Sequence, residues 1–136
     1  EHCNARNLDI ATLGEFCDIA VADLSFISST YIIPRLPLVL KDTGIYVGLI
    51  KPQFECGREA IGKNGIVRNT RYHRAAIMRV IESLESNGFG VLGVVRSDIT
   101  GGDGNKEFLV HAVLGRTSCV TEKEIADIVG NGADGR

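Results

Sequence analysis

The chain has 136 residues, of which 44% are hydrophobic and 24% charged, with a formal net charge of −2. A chain of that length is one domain's worth and buries roughly 65–70% of its unfolded surface, which excludes disorder as the main state. No basic field covers the whole chain to advertise nucleic acid, and the longest apolar runs are too short to cross a bilayer.

The first segment with helical character is 8–15, LDIATLGE. It is followed by Ile19, Ala20, Val21 and Ala22, a continuous apolar run that suits a strand buried on both faces of a parallel sheet. Ser28 and Ser29 are candidate N-caps for a helix carrying Ile32, Ile33, Leu36, Val39 and Leu40, which Pro34 and Pro37 should kink or shorten. Asp42-Thr43-Gly44 punctuates the chain, and GIYVGLIKP follows as a second buried strand. Residues 52–69 read as a long polar connection, of a kind that is often functional. Thr70 is the expected cap of the next helix, whose apolar positions Ile77, Val80, Ile81 and Leu84 recur at helical spacing, and Gly88 is its expected stop. GVLGVVRSDIT is a third strand, GGDGN a short loop, and KEFLVHAVL a fourth strand. Thr121 and Glu124 form a capping-box pattern for a last helix with Ile125, Ile128 and Val129 on its inner face, ahead of a frayed GNGADGR tail.

Strands alternating with helices imply a parallel α/β sheet with helices on both faces. A five-residue loop cannot make a parallel crossover, so the fourth strand should run antiparallel to the other three. Cys3, Cys17, Cys56 and Cys119 form no CxxC pair and have no His at zinc-ligand spacing, which reads as reduced thiols in a cytoplasmic protein. His2, His73 and His111 are scattered and read as structural or solvent-facing.

This topology brings chemistry to one edge. Ligands of open α/β sheets bind beyond the carboxyl ends of the parallel strands. Asp23 ends the first strand and Lys51 the second, while Glu107 opens the antiparallel fourth, so the three converge there. A lysine between carboxylates is held charged, and burial opposes that and can make an amine a usable base. Taken singly, each has a plainer reading: a loop former, a solvated lysine and a surface carboxylate.

The blocks DLSFIS, IKPQFE, GREAIGKNGIVR and SDITGGDGNKEFL resemble the TlyA (hemolysin A) family of FtsJ-like RNA 2′-O-methyltransferases, from about Asn4 to Leu114. The resemblance implies a Rossmann-like methyltransferase sheet and methyl transfer from S-adenosylmethionine to a ribose 2′-hydroxyl of ribosomal RNA. It implies that Asp23, Lys51 and Glu107 are three members of the family's Lys-Asp-Lys-Glu tetrad, with no metal required. Lys51 would take the hydroxyl proton or stabilise the alkoxide, and the two carboxylates would orient it. Asp23, Leu24 and Ser25 would lie by the methionine end of the cofactor, and Asn4 near its adenine. Arg58, Lys63 and Arg68 in the polar connection would meet RNA phosphates.

The family's Gly-rich cofactor loop, its ribose-holding acidic residue, its first tetrad lysine and its S4-type RNA-binding domain have no counterpart in these residues. Residues 1–136 are therefore expected to be the carboxyl-terminal part of a methyltransferase domain, weak in cofactor binding and inactive alone. The strand at 18–26 then becomes an apolar edge, expected to support self-association. The competing reading is a non-catalytic RNA- or ribosome-binding module of the same fold. Membrane lysis, which the family name suggests, has no amphipathic or apolar segment behind it.

Overall fold

The computed structural model describes residues 15–24, 27–62, 65–97 and 104–130. The apolar run at 19–22 lies in strand β1 (Cys17–Ala22), which pairs in parallel with β2 (Leu40–Ile50), Ile19 opposite Ile45 and Ala22 opposite Gly48. β3 (Phe89–Arg96) and β4 (Phe108–Leu114) complete a four-stranded sheet of order β1-β2-β4-β3. β4 is antiparallel to both of its neighbours, so β1, β2 and β3 all point the same way. The fold is the expected mixed α/β sheet, with the last strand inserted between the second and third.

Local chemistry explains where the elements differ from expectation. The segment after β1 is two 3₁₀ helices, Ser29–Tyr31 and Ile33–Leu38, in place of one α-helix. Proline lacks the N–H that an α-helix interior needs, and Pro34 opens the second piece while Pro37 sits inside it. Ser28 caps the first piece, accepting from the Thr30 N–H at 3.1 Å. Asp42-Thr43-Gly44 is not a turn before the strand but part of β2. Thr43 adopts φ 63° there, and the register against β1 shifts between Cys17 and Ile19.

The long polar connection is more ordered than its composition suggests. It begins with a one-turn helix α1 (Pro52–Glu55) and continues with a 3₁₀ turn, Arg58–Ala60. The next helix, α2 (Thr70–Ser86), is capped by Asn69 rather than Thr70, because the Asn69 carboxamide accepts from the Arg71 N–H at 2.9 Å. It ends as expected, with Gly88 at φ 89° just beyond Asn87. The capping box forms on α3 (Glu122–Val129), and Ile125 and Val129 are buried. The 8–14 part of the first expected helix, the 101–103 glycine-rich stretch and the 131–136 tail lie outside the described residues.

The core lies on one face of the sheet. Tyr46, Ile50, Phe108, Val110, Ala112, Val91 and Val94 pack there against Ile77, Val80 and Leu84 of α2 and Ile125 and Val129 of α3. Each fully buried aliphatic side chain of α2 contributes roughly 1.5–3 kcal/mol. Gly48 makes room for the largest buried residue: a Cβ on it would collide with the Tyr46 hydroxyl. α2, α3 and the 3₁₀ pieces after β1 pack on the core face. The opposite face carries Ile19 (54% exposed), Val21 (75%) and Val95 (55%). β1 is therefore an edge strand exposed on its outer side, not a strand buried on both faces, because the described residues place nothing over it.

Candidate active site

Strand direction sets the site. β1 and β2 run in parallel, so Asp23 and Lys51 emerge from the same edge, each one residue beyond its strand. Ile50 pairs with Phe108 as the last rung between β2 and β4, and Lys51 and Glu107 stand next beyond that rung. The edge continues across β3, where the Ser97 N–H donates to the Glu107 carbonyl at 2.9 Å. Three segments distant in sequence thus end side by side.

Lys51 and Asp23 form an ion pair. The lysine side chain is 12% exposed and the aspartate 64%, so the pair has one buried and one open end. Glu107 is 8% exposed, and its carboxylate accepts from Gln53 Nε2 at 3.3 Å. A buried carboxylate needs such donors to offset its lost hydration. Lys51 also serves the backbone: its carbonyl accepts from the N–H groups of Phe54 (2.9 Å) and Glu55 (3.1 Å), which starts α1.

A third carboxylate braces the site. Glu55 is buried at 6% exposure and accepts from the Ser28 hydroxyl, the Ser29 N–H (2.8 Å) and the Ser29 hydroxyl (2.7 Å). This ties the segment after Asp23 to the helix after Lys51. Across the site, Asn105 is fully buried, accepts from the Val67 N–H at 2.8 Å and donates to the Gly65 carbonyl at 3.0 Å. His73 holds the same strap through Nε2 and the Val67 carbonyl, 2.7 Å apart. Burial pushes the His73 pKa down, with the Val67 hydrogen bond working in the opposite direction.

The other expected residues divide. Leu24 is half-buried against the core. Arg58 and Arg68 are exposed, on a 3₁₀ turn and on the approach to α2. Asn4, Ser25 and Lys63 lie outside the described residues. Cys56 is a half-buried thiol donating to the Tyr72 carbonyl at 3.2 Å, and burial and then Glu55 push its pKa up, away from thiolate chemistry. No helix among the described residues is long and apolar enough to cross a membrane.

Gln53, Glu55 and Asn105 are the site residues that sequence reasoning missed. The signal was present in the polar residues directly after Lys51 and directly before Glu107.

Residues 1–114 match the FtsJ-like methyltransferase family. The chain belongs to that family. It is 42% identical over 109 residues to YqxC of Bacillus subtilis, covering 77% of this chain and 39% of YqxC. It is 31% identical over 129 residues to the 16S/23S rRNA (cytidine-2′-O)-methyltransferase TlyA of Mycobacterium tuberculosis, covering 95% of this chain and 48% of TlyA. A solved structure from Streptococcus thermophilus, described as a hemolysin, superposes with a TM-score of 0.88 at 38% identity, over 96% of this chain and 48% of its own. The chain spans less than half the length of these two curated relatives.

Proposed function

We propose that this chain carries the acceptor-activating part of an RNA 2′-O-methyltransferase that acts on ribosomal RNA in the cytoplasm. The observation that supports the reading is the Asp23–Lys51 ion pair at the carboxyl edge of the parallel strands, with Glu107 on the adjoining strand. A ribose hydroxyl is a poor nucleophile until its proton leaves. A cation held at the oxygen stabilises the charge that develops, and a nearby carboxylate orients the O–H. Lys51 supplies the cation, held in place by Asp23, and Glu107 orients the hydroxyl. In methyl transfer the oxygen would take the methyl group from the sulfonium, leaving a neutral thioether, and its proton would pass to water, because the Lys51 ammonium paired with Asp23 has no lone pair to accept it.

S-adenosylmethionine supplies the electrophilic methyl group. Asp23 suits its methionine end, since an open carboxylate at a strand terminus accepts hydrogen bonds from an ammonium group, and Leu24 and Ser25 would flank it. Asn4 would lie near the adenine. Arg58, Lys63 and Arg68 would neutralise RNA phosphates. We read residues 1–136 as the carboxyl-terminal part of the catalytic domain, which binds the cofactor weakly and does not turn over by itself.

The test is transfer of labelled methyl from S-adenosylmethionine to ribosomal RNA by the whole protein, with digestion to locate the label on a ribose 2′-oxygen. Label on 2′-oxygens that is lost in Lys51→Ala supports the reading. Binding of RNA without transfer would favour the non-catalytic module instead.

A further inference from the structure

α1 begins one residue after Lys51, and the Lys51 carbonyl accepts its first two hydrogen bonds, so helix and lysine move as one body. At the far end of the turn, Glu55 is fastened to Ser28 and Ser29. In between sits Gln53, 8% exposed, whose Nε2 donates to Glu107 Oε2 at 3.3 Å. The other polar atom of that amide, Oε1, is buried without a hydrogen-bond partner among the described residues.

An unpaired buried acceptor is unfavourable, and a methionine of similar length would fill the same space without one. Packing alone therefore does not account for the amide. A flipped amide would set its oxygen against a carboxylate, which only accepts, so the N–H donation to Glu107 follows from the chemistry of the pair. The terminal torsion of a glutamate is broad, and a carboxylate without a fixed donor samples it freely.

We propose that Gln53 is a positioning residue for Glu107: it fixes the carboxylate at the edge beside Lys51, from a helix that Glu55 anchors. It touches neither substrate nor cofactor. The inference rests on the role given to Glu107 under Proposed function. Displacing a catalytic group by about 1 Å costs on the order of a hundredfold in rate. Loss of the Gln53 donor should therefore lower kcat about 10- to 100-fold and leave the KM for RNA within about threefold.

The experiment uses the whole protein with Gln53→Met, Glu107→Ala and the double substitution, and Gln53→Asn as a second variant whose amide is one methylene too short to reach. Circular-dichroism melts show that each variant folds. The expected result is the same kcat loss in both Gln53 variants, and a double variant no slower than Glu107→Ala alone, because Gln53 acts only through Glu107. Losses that multiply in the double variant would show a separate structural role and overturn the inference. So would an unchanged kcat in Gln53→Met while Lys51→Ala is inactive, which leaves the methyltransferase reading standing. An unsubstituted protein without methyl transfer would overturn that reading and this inference together.

Discussion

Replacing Glu55 with leucine removes a side chain that hydrogen-bonds the segment after Asp23 to the helix after Lys51. Its carboxylate accepts from a backbone N–H at 2.8 Å and from two serine hydroxyls, all buried. The Ser29 N–H cannot rotate, so its loss costs the full penalty of an unsatisfied buried donor, roughly 1–3 kcal/mol. The hydroxyls lose less, because they turn freely and Ser28 Oγ already lies 2.7 Å from Thr30 Oγ1. Leucine recovers part of the carboxylate's desolvation cost. The sum is a loss of about 2–4 kcal/mol, or a fall in Tm of roughly 6–20 °C for a domain of this size. Glu55→Gln keeps one oxygen acceptor and the shape, and should lose about half as much. Melting of the three proteins by circular dichroism measures this directly. A Glu55→Leu variant that melts within about 2 °C of the unsubstituted chain would refute the view of Glu55 as the brace of this edge.

Three further expectations follow from particular residues. His73 titrates near 6.5 when unfolded and lower when folded, so below pH 6.5 the unfolded chain takes up a proton that the folded chain resists. Stability then falls on acidification, by at most about 1.4 kcal/mol per pH unit from this group; urea unfolding at pH 7.5 and 5.5 should show a shallower loss in His73→Gln, and an equal loss would contradict the assignment. Calorimetry of this chain by itself with S-adenosylmethionine should show weak binding or none, and low-micromolar affinity would contradict the division of the cofactor site. The isolated chain should self-associate through β1, where Val21 is 75% exposed on an edge strand; light scattering should give a smaller species for Val21→Lys, and a monomeric unsubstituted chain would contradict it.

Much of the fold is legible in the residues, because periodicity and turn chemistry are local. The apolar runs at 19–22 and 45–50 locate the two parallel strands, and Thr121 with Glu124 marks the last helix. The antiparallel course of β4 is as expected, although the strands stop at Arg96 and resume at Phe108, so the connection is longer than the five-residue loop read from GGDGN. Where reading fails, a nonlocal or competing effect decides. Pro34 and Pro37 turn an apparent α-helix into 3₁₀ pieces. Asn69 outcompetes Thr70 for the cap because its carboxamide reaches the Arg71 N–H. Residues 52–69 look like solvated loop by composition, yet Gln53 and Glu55 are buried, since their partners Glu107, Ser28 and Ser29 lie 26 to 54 residues away in sequence. The convergence of Asp23, Lys51 and Glu107 is readable from strand direction alone. The residues that hold those three in place are not, because polar partners carry no periodicity.

The role proposed for Lys51, set by Asp23 and beside Glu107, is to activate a ribose hydroxyl for methylation. The most direct measurement is methyl transfer to ribosomal RNA by the whole protein with and without Lys51→Ala. Label on ribose 2′-oxygens is expected, with a fall in kcat of at least about a hundredfold in the variant and RNA affinity little changed. Equal turnover with and without the lysine would contradict it.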